Sequence, residues 1–234
     1  MQAEARTYLL DISRETLLGL LDKGKRFAEV GVAEGVFSQE TLNRCQPENL
    51  LLVDPWICQE GDDYAYDINN VDAARQEARF EAVCKKFEGR NVEILRMSSL
   101  DAAALVADVS LDYIYIDANH SFEAVTEDIN AWWPKLKPDG VLMGHDYANH
   151  FAAMQAGFGV VEAVNNFVLE SGCAFIGITH ETYPYPTFIL AKSWHAKSGE
   201  ILDRSPILCS FDTGRMNWQV LPMPDGTAKI FLKF

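Results

Sequence analysis

Two pairs of acids and histidines are the residues of this sequence best suited to chemistry. Asp117 is followed three residues later by His120, and His145 directly precedes Asp146. Each pair follows a short apolar run typical of a buried parallel strand, and open parallel sheets bind ligands beyond such strand ends. Carboxylates at neighbouring strand ends can hold Mg²⁺ or Ca²⁺, and histidine is the usual general base near neutral pH. The four residues therefore predict a site that binds a divalent cation or moves a proton.

Simpler structural roles are open to both acids. Asp117 can cap the helix that follows it, because Asp is a favoured cap residue and Ser121 lies close by. Asp146 can serve only to orient His145. Two histidines beside two acids at the ligand edge of a sheet are harder to explain in this way. We therefore predict a role in the site for Asp117 and leave cation binding as an open alternative.

A glycine loop earlier in the chain predicts a pocket for a nucleoside. The loop runs from Glu29 to Gly35 after the first predicted strand, and Gly31 and Gly35 are separated by three residues. The third glycine of the dinucleotide fingerprint is missing, so the loop suits an adenosine ligand without a pyrophosphate. Glu29 adds an acid that can meet an ammonium group. Asp54 ends the second predicted strand, where an acid can accept hydrogen bonds from both ribose hydroxyls.

The segments that position these residues alternate between apolar runs and helical patterns. Predicted strands span residues 26–32, 50–53, 92–96, 111–116 and 141–144, with further apolar runs at 174–179 and 187–191. Predicted helices span residues 13–21, 37–45, 72–87, 100–107, 122–136 and 159–171. This alternation predicts an α/β fold with a doubly wound, mostly parallel sheet and helices on both faces.

The chain changes character after residue 192. Residues 218–221 and 229–233 flank a Pro224-Asp225-Gly226 turn, which predicts a C-terminal hairpin. We therefore divide the chain into a domain of residues 1–192 and an extension of residues 193–234. The extension can pack on the sheet, close over the pocket or pair with another copy in a homodimer, and the sequence does not choose among these.

The composition argues against several kinds of partner. The chain has 34 acidic and 20 basic residues and a formal charge of -14, so neither nucleic acid nor an anionic membrane surface is expected to bind it. The N-terminus lacks the residue order of a signal peptide, and no apolar run is long enough to span a bilayer. The 5 cysteines are scattered without a CxxC pair, which argues against a zinc site and favours reduced thiols. We expect a cytoplasmic protein.

Four segments together resemble a known family. They are Phe27 to Gly35, Leu52 to Trp56, Leu111 to Val125 and Leu136 to Tyr147. In this order, and over roughly residues 25–192, the chain resembles the class I S-adenosylmethionine-dependent methyltransferases, and more narrowly the family usually labelled methyltransferase domain 24. The resemblance implies a Rossmann-like methyltransferase fold with seven strands, the last of them antiparallel. Asn119 and Asp139 differ from the Asp and Gly that are common in relatives, and no prediction depends on either.

The resemblance also implies which residues bind the methyl donor. Glu29, Gly31 and Gly35 would shape the methionine side of its pocket, and Asp54 would hold the ribose. Near the adenine the family usually has Asp at or beside Ser98, so that assignment is the weaker one. The residues expected around the donor are Glu29, Gly31, Gly35, Asp54, Trp56, Met97, Ser98 and Asp117.

Methyl transfer sets the chemical requirements of such a site. The reaction is an in-line displacement at a sulfonium, so the enzyme mainly aligns the acceptor and removes its proton. A hydroxyl acceptor needs a general base or a metal that lowers its pKa. We expect catalytic roles for Asp117 and for a base, first His145 and then His120. Asp117 and Asp146 are the expected ligands of Mg²⁺ or another divalent cation, as in related small-molecule O-methyltransferases.

The expected function is therefore O-methylation of a small molecule, such as a sugar or a natural product, with S-adenosylmethionine as donor. One alternative is a nicotinamide-dependent oxidoreductase on a similar sheet, against which the missing third glycine counts. Another is a non-catalytic nucleotide-binding module, against which the acids and histidines count. Candidate contacts to the acceptor are His150, Phe151, Met154 and the segment from Tyr183 to Pro186, which can equally be a rigid turn. Tyr64 and Tyr66 can line a lid over the donor or acceptor, or only pack within their long loop.

Overall fold

The computed structural model describes residues 6–59, 69–213, 218–222 and 228–232. The strands described in these ranges are β1 (Arg6–Leu10), β2 (Arg26–Val30), β3 (Asn49–Val53), β4 (Val92–Leu95), β5 (Leu111–Ile116), β6 (Leu136–Gly144), β7 (Ala174–Thr179), β8 (Phe188–Ala191), β9 (Ile207–Asp212), β10 (Trp218–Pro222) and β11 (Ala228–Leu232). The helices are α1 (Arg14–Leu18), α2 (Val36–Cys45), α3 (Ala73–Phe87), α4 (Ser99–Leu105), α5 (Phe122–Trp132), α6 (Phe151–Gln155), α7 (Val160–Ser171) and α8 (Ala196–Asp203).

One large sheet organises the fold, with the strand order β4-β3-β2-β5-β6-β8-β7-β1-β9. Strands β2 to β6 run parallel, and β8 runs antiparallel to both of its neighbours, β6 and β7. The prediction of a doubly wound, mostly parallel α/β sheet with an antiparallel last strand is confirmed. The sheet has 9 strands rather than seven, because β1 pairs parallel with β7 and β9 pairs antiparallel with β1.

Two apolar cores cover the faces of the sheet, and the alternation of side chains along β5 shows how they form. This strand is buried at every position. Ile114 and Ile116 pack in the core that includes residues of α5 and α7, whereas Tyr113 and Tyr115 pack in the core that includes residues of α1 and α2. Because alternate residues of a strand point to opposite faces, a continuous apolar run is the pattern of a strand covered on both sides.

Helix starts follow the expected capping chemistry. Ser13, Asp72, Ser98 and Ser121 each accept a hydrogen bond at their side chain from a backbone N–H in the first turn of the helix that follows. Helix α5 ends at residue 132 rather than 136. Pro134 explains this difference, since proline cannot donate within a helix interior and lies instead in a short 3₁₀ turn of residues 133–135.

The C-terminal extension contributes both to the sheet and to a separate hairpin. Strand β9 joins the sheet beside β1. Strands β10 and β11 pair antiparallel as predicted, and the Pro224-Asp225-Gly226 turn lies outside the described residues. Among the described helices, none is long and apolar enough to cross a membrane.

Candidate active site

The glycine loop after β2 packs directly against the end of β5. Gly31 has φ +88°, a backbone conformation that residues with a Cβ rarely adopt. A Cβ at this position would lie 1.9 Å from the carbonyl oxygen of Asp117. Glycine is therefore required here, and its absence of a side chain brings the loop and Asp117 to the same point of the sheet edge.

Asp54 holds this loop in shape. Its Oδ2 accepts hydrogen bonds from the backbone N–H groups of Val32, at 2.9 Å, and Ala33, at 3.0 Å. Its Oδ1 accepts from the backbone N–H of Trp56 at 2.7 Å. These bonds stabilise a turn in which Ala33 has φ 48°, an unfavourable value for a residue other than glycine. The sequence predicted only a ribose contact for Asp54, and this loop-forming role was missed.

A cavity of ≈ 380 Å³ lies over the loop and the ends of β3 and β5. Of the residues predicted to bind the donor, those that line the cavity are Glu29, Gly31, Asp54, Ser98 and Asp117. Trp56 lies beneath the loop instead, fully buried, with its indole N–H donating to the carbonyl of Ala33 at 2.9 Å. Met97 packs against the core, and Gly35, with φ +64°, allows the ring of Phe87 to approach.

Glu29 is an acid buried beneath this cavity. Glu29 is only 2% exposed, and its Oε2 has no hydrogen-bond partner among the described residues. Burial, together with the negative charges of Asp117 and Asp54, raises the pKa of Glu29 to about 8. The carboxyl group is therefore mainly protonated at neutral pH and is ready to ionise when a cation binds beside it.

Two acids and two histidines meet in one cluster beyond β5 and β6, namely Asp117, His120, His145 and Asp146. His120 Nε2 lies 2.8 Å from Asp146 Oδ2 and 3.8 Å from Asp117 Oδ1. His145 Nδ1 lies 3.1 Å from Asp146 Oδ1 and 3.7 Å from Asp117 Oδ2. Asp146 has φ 58°, so its backbone is strained to direct the carboxylate into this cluster. Ser121, and not Asp117, caps α5.

Electrostatic coupling sets the charges in this cluster. Burial by itself would lower the pKa of His120, but the carboxylates of Asp117 and Asp146 raise it to about 10. The pKa of His145 is raised in the same way, against the effect of burial. Burial would raise the pKa of Asp146, but the two histidines hold it well below its usual range. Without a ligand, the cluster therefore holds an ionised Asp146 beside two protonated histidines.

Three residues of the cluster could hold a metal ion. One ligand atom from each of Asp117, His120 and Asp146 lies within 4.8 Å of the other two. His120 Nε2 is buried and close to Asp146, yet it has no hydrogen bond of acceptable geometry to any described residue. Two carboxylate oxygens and one imidazole nitrogen form a donor set that suits a divalent ion. The sequence predicted the two acids and placed His120 in a catalytic role instead.

Sequence reasoning missed several charged residues of the cavity, among them Arg14 and Asp128. Arg14, the first residue of α1, lines it and places Nη1 3.3 Å from Asp117 Oδ2 and 3.4 Å from the hydroxyl of Tyr115. Asp128 of α5 also lines it at 5% exposure, and burial raises its pKa to about 6. No local pattern marks either residue, because both reach the cavity only through the packing of their helices.

Aromatic rings lie on the other side of His120. Phe158 stacks on the imidazole with ring centroids 4.4 Å apart, and Tyr185 lies 5.9 Å from Phe158. His150 is buried and caps α6 through Nδ1, which accepts from the N–H of Ala153 at 3.2 Å. The exposed candidates for acceptor contacts are Phe151, Met154 and Tyr183, whereas Tyr64 and Tyr66 lie outside the described residues.

These observations define the class of protein. A parallel sheet with an antiparallel last strand and a glycine-loop cavity at its carboxyl edge is the fold of a class I S-adenosylmethionine-dependent methyltransferase. Residues 28–147, half of the chain, match the family described as Methyltransferase domain (Methyltransf_24). The chain belongs to this family.

The chain is also similar in sequence to two uncharacterized proteins. An uncharacterized mimivirus protein, R132, is 23% identical over 187 residues, which are 77% of this chain and 73% of that protein. The chain spans only 13% of a second relative, the uncharacterized protein y4gI of Sinorhizobium fredii, to which it is 27% identical over 54% of its own length.

Two solved structures share the fold at low identity. A putative methyltransferase from Streptococcus mutans in complex with SAH, SMU.1697c, matches with a TM-score of 0.50 and 12% identity, over 75% of this chain and 93% of that one. The spermidine synthase of Thermotoga maritima matches with a TM-score of 0.51 and 16% identity, over 77% of this chain and 57% of that one. The same fold is therefore shared by a spermidine synthase and a putative methyltransferase.

Proposed function

We propose that this protein transfers the methyl group of S-adenosylmethionine to a hydroxyl oxygen of a small molecule, such as a sugar or a natural product, with the help of a divalent cation. The observation that carries the proposal is the position of Asp117. This acid lines the donor cavity and also belongs to the cluster with His120, His145 and Asp146. A cluster that could hold a cation and take up a proton would thus lie beside the donor's sulfonium.

Donor binding is supported by the chemistry of the cavity. The cavity combines the backbone of the glycine loop, the carboxylate of Asp54 and the buried acid Glu29. These groups suit an adenosine joined to an amino acid, with Asp54 positioned for the ribose. The ammonium of the amino acid would ionise Glu29 and satisfy its unpartnered oxygen. A nicotinamide dinucleotide lacks this ammonium, and the family assignment also counts against an oxidoreductase.

The cation would be held by Asp117, His120 and Asp146. His120 Nε2 supports this assignment, because it lies 2.8 Å from Asp146 Oδ2 and 3.8 Å from Asp117 Oδ1 but forms no hydrogen bond of acceptable geometry among the described residues. A cation bound between these atoms would give the buried nitrogen a partner. A divalent cation held there would lower the pKa of an acceptor hydroxyl. Asp117 and Asp146 would be its oxygen ligands, as the sequence predicted.

His145 is then the residue left to take the acceptor's proton. It lies within 3.7 Å of both acids but is not one of the three residues with converging ligand atoms. The two carboxylates raise its pKa, so neutralising them would lower it towards the range of a general base. His120 remains the second candidate for the base.

The acidic surface supports a small molecule as the acceptor. A formal charge of -14 repels nucleic acids and anionic membranes. The described cysteines, from Cys45 to Cys209, are all free thiols, in keeping with the cytoplasm as the proposed location.

The proposal is tested first by donor binding and then by transfer. Calorimetry should show that S-adenosylmethionine binds and that NAD does not. Incubation with labelled donor, Mg²⁺ or Mn²⁺ and a panel of hydroxylated sugars and phenols should yield a methyl ether, and chelation with EDTA should suppress it. Tight donor binding without transfer to any acceptor would instead favour a non-catalytic module, and undiminished turnover in EDTA would remove the cation from the mechanism.

A further inference from the structure

The donor cavity contains a cation that none of the predicted roles uses. Arg14 lines the cavity together with Glu29 and Gly31. We propose that the guanidinium of Arg14 binds the α-carboxylate of the donor's amino-acid part while Glu29 binds its ammonium. This inference rests on S-adenosylmethionine being the donor and assigns a recognition role to a residue that precedes the family match of residues 28–147.

The added strand β1 is what brings Arg14 to the site. This strand runs parallel to β7, so its carboxyl end lies at the same edge of the sheet as the glycine loop. Ser13 caps α1 directly after it, and the backbone N–H of Arg14 donates to Glu181 Oε1 at 2.8 Å. The guanidinium lies 5.2 Å from the ring centroid of Phe37 at the start of α2. The backbone hydrogen bond to Glu181 and the contact with the Phe37 ring thus hold the Arg14 side chain over the cavity.

The guanidinium of Arg14 can still bind a carboxylate through two of its nitrogens. Nη1 meets Asp117 Oδ2 at 3.3 Å and the Tyr115 hydroxyl at 3.4 Å, and Nε meets Glu15 Oε1 at 3.3 Å. All three are longer than the ~2.7–2.9 Å of a strong charge-assisted hydrogen bond. Each acid is also met through a single nitrogen, whereas arginine binds carboxylates best through two parallel hydrogen bonds. A carboxylate from a ligand can supply that geometry.

The acids around the cavity would repel the donor's carboxylate, so a cation is needed beside them to bind it. An incoming carboxylate approaches Glu29, Asp54 and Asp117, all of which line the same space. Among the described lining residues the cations are Arg14 and Arg79. Arg79 pairs with Glu34 at 2.7 Å and also donates to the carbonyl of Asn69 at 2.8 Å. It is therefore engaged at another part of the rim, and Arg14 is the cation beside Glu29 and Asp117.

Two ligands that differ only in the carboxylate test this assignment. S-adenosylhomocysteine and its decarboxylated analogue would be titrated by calorimetry into the wild type and into Arg14→Ala, Arg14→Gln and Arg14→Lys. We expect the Ala and Gln variants to bind S-adenosylhomocysteine at least tenfold more weakly than the wild type. Their affinity for the decarboxylated analogue should stay within twofold of the wild-type value. Lys should restore part of the lost affinity, because it keeps the charge without the fork.

Arg79→Ala is the matched control, since it removes the same charge from the same cavity. It should change the affinity for both ligands by similar factors. Equal losses for both ligands in the Arg14 variants, or unchanged S-adenosylhomocysteine binding, would overturn the role of Arg14 and leave the proposed donor intact. If the folded wild type bound neither ligand, the donor assignment and this inference would fail together. Thermal unfolding of each variant shows whether it is folded at the titration temperature.

Discussion

The two halves of the site are built in opposite ways. In the glycine loop after β2, Asp54 has both carboxylate oxygens paired with backbone N–H groups. In the cluster beyond β5 and β6, His120 Nε2 forms no well-formed hydrogen bond to any residue that the structure describes, and the same holds for Glu29 Oε2 in the cavity. Satisfied polar groups stabilise the fold, whereas unsatisfied ones cost stability until a ligand binds. Substitutions in the loop should therefore damage folding, and those in the unsatisfied groups should damage function.

The largest expected effect is on folding, from Gly31→Ala. The new Cβ would lie 1.9 Å from the carbonyl oxygen of Asp117 in a residue with φ +88°, so the loop must separate from β5. We expect a loss of about 4 kcal/mol or more, at the upper end for single substitutions. Denaturant unfolding measures this loss.

Gly24→Ala is the control for Gly31→Ala. Gly24 also has a positive φ, +68°, but a Cβ there would meet nothing within 4 Å. It should cost only the ~1–2 kcal/mol of a left-handed residue. Equal losses in the two variants would show that the close approach to Asp117 does not matter.

The next effect has the opposite sign, because Glu29→Gln should stabilise the protein without ligand. The folded pKa of Glu29 is about 8 against an ordinary value of 4.5, so the folded state holds the proton more tightly. The stability from this group is fully present below pH 4.5 and is lost as the pH rises towards 8. Gln avoids this loss, worth at most about 3 kcal/mol at pH 7. Unfolding at pH 4.5 and pH 7.5 should show the gain only at the higher pH.

The same variant should bind the donor poorly, which is the cost of removing an unsatisfied functional acid. Glu34→Gln, on the exposed side of the loop, should change stability by less than ~0.5 kcal/mol at both pH values. A Glu29→Gln variant that is less stable than wild type at pH 7.5 would contradict the prediction that Glu29 destabilises the ligand-free protein at this pH.

A third effect concerns the cluster and should appear in cation binding. Asp146→Asn removes one of the three converging ligands, and we expect Mn²⁺ affinity to fall by at least ~10-fold, in line with losses around metal sites. Asp139→Asn, an exposed acid at the opposite end of β6, should leave it unchanged. Calorimetry or electron paramagnetic resonance of Mn²⁺ would detect the difference, and equal affinities in both variants would rule out Asp146 as a ligand.

The smallest effect is a pH dependence of donor binding. Below its pKa of about 8, Glu29 must lose a proton before it can pair as a carboxylate with the donor's ammonium. Affinity for S-adenosylhomocysteine should therefore rise about tenfold from pH 6 to pH 7, with nearly one proton released per ligand. Titrations in buffers of different ionisation enthalpy measure this release, and proton uptake instead would contradict the role of Glu29.

Much of the site could be read from the sequence because its signals are local. A glycine loop, an apolar run and the acid that follows it lie within a few residues of each other. Parallel strands then bring their ends together at one edge, so Gly31, Asp54, Asp117 and Asp146 were placed correctly at that edge. Trp56 and Met97 follow strands as well, but their side chains pack into the core and do not line the cavity. Sequence position sets the neighbourhood of a side chain and not its direction.

The sequence by itself determined the sheet class, the glycine loop and the identities of the acids and histidines at the ligand edge. Only the tertiary structure decided that β1 extends the sheet, that Arg14 therefore reaches Asp117, and that His120 converges with both acids. Tyr8 of β1 lies opposite Gly177 of β7, far along the chain. Such contacts depend on the free energy of packing distant segments against each other. No periodicity within one segment records that energy.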